Sequence, residues 1–244
     1  GRRFEKCDPR KTYPAPAPVR APAPMLAPAL APMLAPALAP MLAPALAPLL
    51  APALAAPAAP PAFKVAYLVS VFPKLTETCV LHEILELERQ GFHVEVYPLL
   101  RGKEVVRHPE VERLADRVHH PSPYSREVLI ANVQLFARHP RRYLGTAVEC
   151  LWRNLGGLRF FAGALAFFPK AVWIARELGR SGVRHVHAHF AHHPALAAYV
   201  VGRLSDIPYS FTAHGSDLHT DQRMLDLKVG AAKFALTISD YNRE

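Results

Sequence analysis

From Phe63 onward the hydrophobic positions switch between two periods, and the switching predicts an α/β chain. Lys64–Ser70 (KVAYLVS) is a short apolar run, suited to a strand buried on both faces. In Thr76–Gly91 (TETCVLHEILELERQG) the positions Val80, Leu81, Ile84, Leu85 and Leu87 recur at helical spacing. Thr76 or Thr78 can cap that helix, Glu77 suits its positive end, and Gly91 stops it. Phe92–Pro98 (FHVEVYP) alternates like a second strand, so the segment reads as a βαβ unit.

The middle is more helical. Helices are predicted over Pro109–Ala115 and Ser125–Ala137, with a short strand near Arg117–His120. Leu155–Leu178 reads as a long helix or a helix pair kinked at Pro169. Its Arg153, Arg159, Lys170 and Arg176 stand beside Phe160, Phe161, Phe167, Phe168 and Trp173, which fits either a membrane-surface helix or a buried helix with charged ends. The last third alternates again. Arg184–Phe190, Tyr209–Gly215 and Phe234–Ser239 read as strands, Pro194–Leu204 and Met224–Ala232 as helices, and a further helix opens at Ser239 or Asp240. The expectation is a Rossmann-like, doubly wound parallel sheet that binds ligands at the carboxyl ends of its strands.

Composition separates residues 1–62 from this domain at 63–244. Sixteen of the 25 prolines fall in the first segment, where APMLAPAL occurs three times and APLLAPAL once over residues 23–54. Proline every fourth residue removes amide donors and excludes helix, so an extended, polyproline-like segment is expected. The chain carries a formal charge of +9, which fits phosphate-bearing substrates or an anionic membrane surface. No motif of a nucleic-acid binder accompanies it, and no nucleic-acid partner is expected. Cys7, Cys79 and Cys150 are odd in number and widely spaced, so neither a disulfide framework nor a structural zinc site is expected, and a reducing compartment fits. The longest strongly apolar run, Phe160–Pro169, falls short of a bilayer span.

Three strand-end loops can carry chemistry. Val71–Val80 has no glycine, so it cannot cradle a pyrophosphate as GxGxxG does; Thr76, Glu77 and Thr78 either cap the helix or hold sugar hydroxyls or a phosphate. In His185–His193 (HVHAHFAHH) the residues His185, His187 and His189 share a strand face. No paired carboxylate or HExxH accompanies them, so no metal is expected; His189, nearest the strand's carboxyl end, is the substrate-binding candidate. In Ser210–His219 (SFTAHGSDLH), His214 ends the strand and Gly215 permits a sharp turn, with Asp217 a further substrate-binding candidate.

Phe72–Gly91 (FPKLTETCVLHEILELERQG) resembles the FPxxSETF-type first loop and helix of family-4-like glycosyltransferases of bacterial exopolysaccharide synthesis, the colanic-acid type among them. His185–His219 and Lys228–Glu244, the latter with TISDYNR, resemble two later blocks of the same family, in the same order. The resemblance implies a GT-B fold, of which this chain would be the acceptor-side, N-terminal half. It implies a retaining transfer from a nucleotide-sugar donor to a saccharide or lipid-linked acceptor, with no metal and no cofactor beyond that co-substrate. The histidine matching His214 would be catalytic and reach a donor-sugar hydroxyl; Gly215 would leave space for the sugar, and Glu77 and Thr78 would line the cleft. The family's E-x7-E pair belongs to a donor-binding domain. Glu104 and Glu112 share that spacing by coincidence, with Pro109 between them. The expectation is therefore a fragment, inactive alone, from a cytoplasmic enzyme in peripheral contact with the inner membrane face. The alternative is a non-catalytic carbohydrate- or partner-binding module.

Overall fold

A computed structural model describes residues 63–74, 77–102 and 109–243. The repeats, the rest of the 1–62 segment, Thr76 and Glu104 lie outside the described residues. The element order is β1 (Lys64–Phe72), α1 (Thr78–Arg89), β2 (His93–Arg101), α2 (Pro109–Glu112), a 3-10 turn (Ala115–Arg117), α3 (Arg126–Arg138), α4 (Pro140–Trp152), α5 (Leu158–Ser181), β3 (His185–His189), α6 (His193–Ser205), β4 (Tyr209–Ala213), α7 (Ser216–His219), α8 (Leu225–Ala231), β5 (Phe234–Thr237) and a closing 3-10 turn (Asp240–Arg243). Among the described residues all five strands are parallel, in the order β2-β1-β3-β4-β5. This is the Rossmann-like α/β architecture expected from the alternating periods.

One face of the sheet is mainly apolar, with Glu95 of β2 a charged exception at its edge. Ala66, Leu68, Leu99, Val186, Ala188, Tyr209, Phe211 and Ala213 join one buried cluster with Val172, Ile174, Ala175 and Leu178 of α5 and with most of α6. Burying one such side chain is worth about 1.5–3 kcal/mol. On the other face, Val65, Tyr67, Val69, Val94 and Val96 pack against Val80, Leu81 and Ile84 of α1. The strand register carries that face on through His185 and His187 of β3 and Ser210 and Thr212 of β4. Its apolar packing against α1 ends at β1, and apolar residues return only at Phe234 and Leu236 of β5.

Several boundaries moved. The segment near Arg117–His120 forms only an isolated bridge, Val118 to Val96, not a strand. Pro109–Ala115 shortens to one turn of helix followed by the 3-10 turn. Pro140–Trp152, which the periodicity did not separate, is a helix with proline in its first turn. α5 runs unbroken through Pro169 rather than splitting into a pair. The carbonyl of Leu165, deprived of its amide partner by Pro169, belongs to an exposed residue that water can satisfy. Gly182, at φ +76°, ends α5 in the left-handed conformation that glycine adopts without strain.

Of the two readings of Arg153–Arg176, the buried one describes its second half. Phe168, Lys170 and Trp173 are buried, and Lys170 Nζ donates to the carbonyl of Leu99 at 2.9 Å. α5 is long and apolar enough to cross a membrane by length and composition, but much of it packs into the core. The exposed apolar residues instead form stripes on the neighbouring helices. Leu129, Val133 and Phe136 lie along α3, and Leu144, Val148 and Trp152 along α4. Each helix also buries a second stripe, Val128 and Ala131 on α3 and Thr146 and Cys150 on α4, so the exposed apolar residues exceed what the core needs.

Candidate functional site

Glycine at 215 makes the turn after β4. Its φ of +96° lies where side-chain-bearing residues are strained, and the chain bends there into α7. That bend lets Asp217 reach back. One carboxylate oxygen accepts the backbone N–H of His214 at 2.8 Å, and the other accepts the N–H of Ala191, just past β3, at 2.6 Å. The carbonyl of Ala191 in turn accepts from Lys228 Nζ at 2.5 Å. Lys228 is buried, and burial pulls its ammonium down to about 8. The ends of β3 and β4 are thus fastened to each other and to α8. Asp217, the expected substrate-binding residue, is 1% exposed with both oxygens engaged by backbone, and in the structure it positions the loops.

His189 ends β3, at the strand's carboxyl end as expected. It is 1% exposed and lies beneath the β4 turn, with Nδ1 3.2 Å from Nε2 of His214. It therefore supports His214 from below through Nδ1. Beside it Phe190 adopts φ +77°, a left-handed conformation costing about 1–3 kcal/mol in a residue of this kind. Its ring centroid sits 4.4 Å from that of His214.

His214 is half-buried. Burial lowers its pKa, helped by His189 and opposed by Asp217, Glu77 and Glu83, so the imidazole is neutral at pH 7. Among the described residues its Nδ1 has no hydrogen-bond partner, which leaves that atom for a ligand. Glu77 stands at the N-terminus of α1 and is held at 2.5 Å by Lys74 Nζ. Thr78 opens the helix but does not cap it; among the described residues no side chain does. Gly215 was expected to leave sugar-sized space. A Cβ built there would lie 3.2 Å from the side chain of Asn242, which also bonds His219 at 3.0 Å, so Asn242 occupies that flank.

Below these residues lies a polar ladder on the α1 face of the sheet. Ser210 Oγ bonds His185 Nε2 at 2.7 Å and His187 Nδ1 at 2.8 Å, and Thr212 Oγ1 lies 3.0 Å from His187 Nε2. Tyr67 donates to Glu83 Oε1 at 2.6 Å. Glu83 Oε2 is 3.4 Å from His189 Nε2, and Oε1 is 3.9 Å from His187 Nε2. Burial alone would raise Glu83, but contact with His189 and the bond from Tyr67 outweigh it and hold the carboxyl at about 2. Burial drives His187 down to about 4. Sequence reading placed the three histidines on one face but did not supply the carboxylate, which arrives from a different element.

A cavity of about 260 Å³ opens at the ends of β1 and β2, lined by Phe72, Arg101, Gly102, Glu112, Val118 and His120 among others. None of the candidate site residues chosen from the sequence lines it. Arg101, the last residue of β2, was unmarked because a strand-end arginine carries no motif. Set against known proteins, the chain matches no family model and no curated protein.

Proposed function

We propose that this chain is the acceptor-side lobe of a retaining GT-B-type glycosyltransferase. It would work with a nucleotide-sugar donor and a saccharide or lipid-linked acceptor, on the cytoplasmic face of a membrane. The observation that carries the reading is His214: a neutral imidazole at the carboxyl end of a parallel strand, fixed through its backbone by Asp217 and through Nε2 by His189, with Nδ1 open to a ligand. Such a group donates or accepts one hydrogen bond to a sugar hydroxyl. Glu77, close enough to raise the basicity of that imidazole, adds a carboxylate at the same edge.

Transfer also needs groups against the departing diphosphate and the electron-poor sugar ring. This lobe offers neither in full, so the reading requires a second lobe facing the strand ends. The recess beside Arg101 and Glu112, near the lower end of the range for small-ligand sites of ~300 Å³ and above, suits part of a polar acceptor. The apolar stripes of α3 and α4, flanked by Arg138, Arg141 and Arg153, suit an anionic lipid surface.

In the two-lobed enzyme, His214→Ala is expected to lower kcat/KM about 100-fold or more with the melting temperature unchanged. Wild-type turnover in that variant removes His214 from the reaction. Calorimetry with oligosaccharides and sugar nucleotides gives the other decision. Saccharide binding without turnover in the two-lobed protein supports the carbohydrate-binding module instead.

A further inference from the structure

We propose that Glu83, His187 and His189 bind one divalent transition-metal ion of zinc-like chemistry, clamped between α1 and β3. Their ligand atoms all lie within 4.8 Å of one another. Zinc arms of about 2.0–2.1 Å place tetrahedral ligand atoms about 3.3–3.4 Å apart. His189 Nε2 and Glu83 Oε2 are already 3.4 Å apart; His187 Nε2, 3.9 Å from the other carboxylate oxygen, turns inward to share the ion.

A second observation points the same way. His189 Nε2 is fully buried and makes no hydrogen bond, although it is aimed at the carboxylate. A buried polar atom left so is costly unless something fills the gap. The remaining ring nitrogens are held as metal-bound histidines usually are, each bonded outward to a second group. His189 Nδ1 meets His214 Nε2 and His187 Nδ1 meets Ser210 Oγ, which orients both Nε2 atoms inward. Tyr67 keeps its bond to Glu83 Oε1 as the outer partner of the carboxylate. Metal at His187 Nε2 displaces only the Thr212 hydroxyl.

Two imidazoles and one carboxylate suit zinc or cobalt; calcium and magnesium prefer oxygen alone. The side chain of Glu83 is 42% exposed, which gives the ion a path in and leaves a fourth position for water. Binding would also fix a tautomer. With Nε2 of His189 on the metal, its Nδ1–H donates to His214 Nε2, and His214 presents Nδ1–H outward as a donor. The site stands on its own geometry and does not depend on the glycosyl-transfer reading.

The test is equilibrium dialysis of the 244-residue chain against Zn²⁺ at neutral pH, followed by metal analysis, with Co²⁺ absorption as a second readout. The chain is expected to hold one equivalent, to melt about 5 °C higher with saturating metal, and to show the intense visible band of a four-coordinate cobalt ion. Glu83→Gln, nearly isosteric and at the solvent edge, is expected to weaken binding at least 10-fold; His187→Gln should act alike. His139→Ala, at the exposed α3–α4 junction, is expected to bind as wild type. Circular dichroism in chelator establishes that the variants are folded. Failure to retain stoichiometric metal, or retention of it by folded Glu83→Gln and His187→Gln, overturns the proposal, as does binding that disappears with His139.

Discussion

The two faces of the sheet solve different problems. Against α5 and α6 the strands present mainly apolar side chains, in one continuous core, with Glu95 of β2 the charged exception at the edge. Against α1 the apolar contact stops at β1, and β3 and β4 continue the same face with histidine, serine and threonine. A face built for stability alone would have carried valine or isoleucine across. Its polar half gives up apolar packing for groups that bond, orient and ionise, and His214 and the Glu83, His187 and His189 cluster stand on or beside it.

That contrast can be broken at several points. Phe211→Ala, in the apolar face, is expected to lose about 3–5 kcal/mol in urea unfolding through the cavity it leaves; a loss under 1 kcal/mol would mean the face is loosely packed. Asp217→Ala strands two buried amides and is expected to lose about 2–4 kcal/mol by the same measurement. Ser210→Ala, in the polar half, deprives His185 and His187 of a shared partner and is expected to lose about 1–2 kcal/mol. A loss equal to that of Phe211→Ala would erase the distinction between the faces. The smallest effect concerns surface against core. Burial pushes the Cys150 thiol up to about 12, whereas Cys79 is exposed, so peptide mapping after alkylation of the native protein at pH 8 is expected to show Cys79 modified and Cys150 spared. Equal labelling would show that the α4–α6 side opens freely.

The strands were legible because buried parallel strands are short apolar runs, and Lys64–Ser70, Tyr209–Gly215 and Phe234–Ser239 fell within two or three residues of their observed ends. α4 was not. It shows solvent two stripes of arginine and apolar residues, so its pattern has no single clean face. The placement of His214 at a strand end and of Gly215 in the turn after it was legible, because a histidine and a glycine there bear local signals. The role of Asp217 was not, since its partner Ala191 belongs to another loop and its bond goes to backbone, which every residue offers. The meeting of Glu83 with His187 and His189 was hidden for a similar reason: an acidic residue in a helix reads as a solvated face until the sheet register is known.

Ala191 has no chemistry of its own, yet its peptide groups are gripped from both sides, by the carboxylate of Asp217 and the ammonium of Lys228. The ends of two strands and the helix beyond them are thereby yoked into one rigid body. A push on α8 would travel through a single alanine to the imidazole of His214, so remote substitutions near Lys228 should register at the strand end as readily as those beside it.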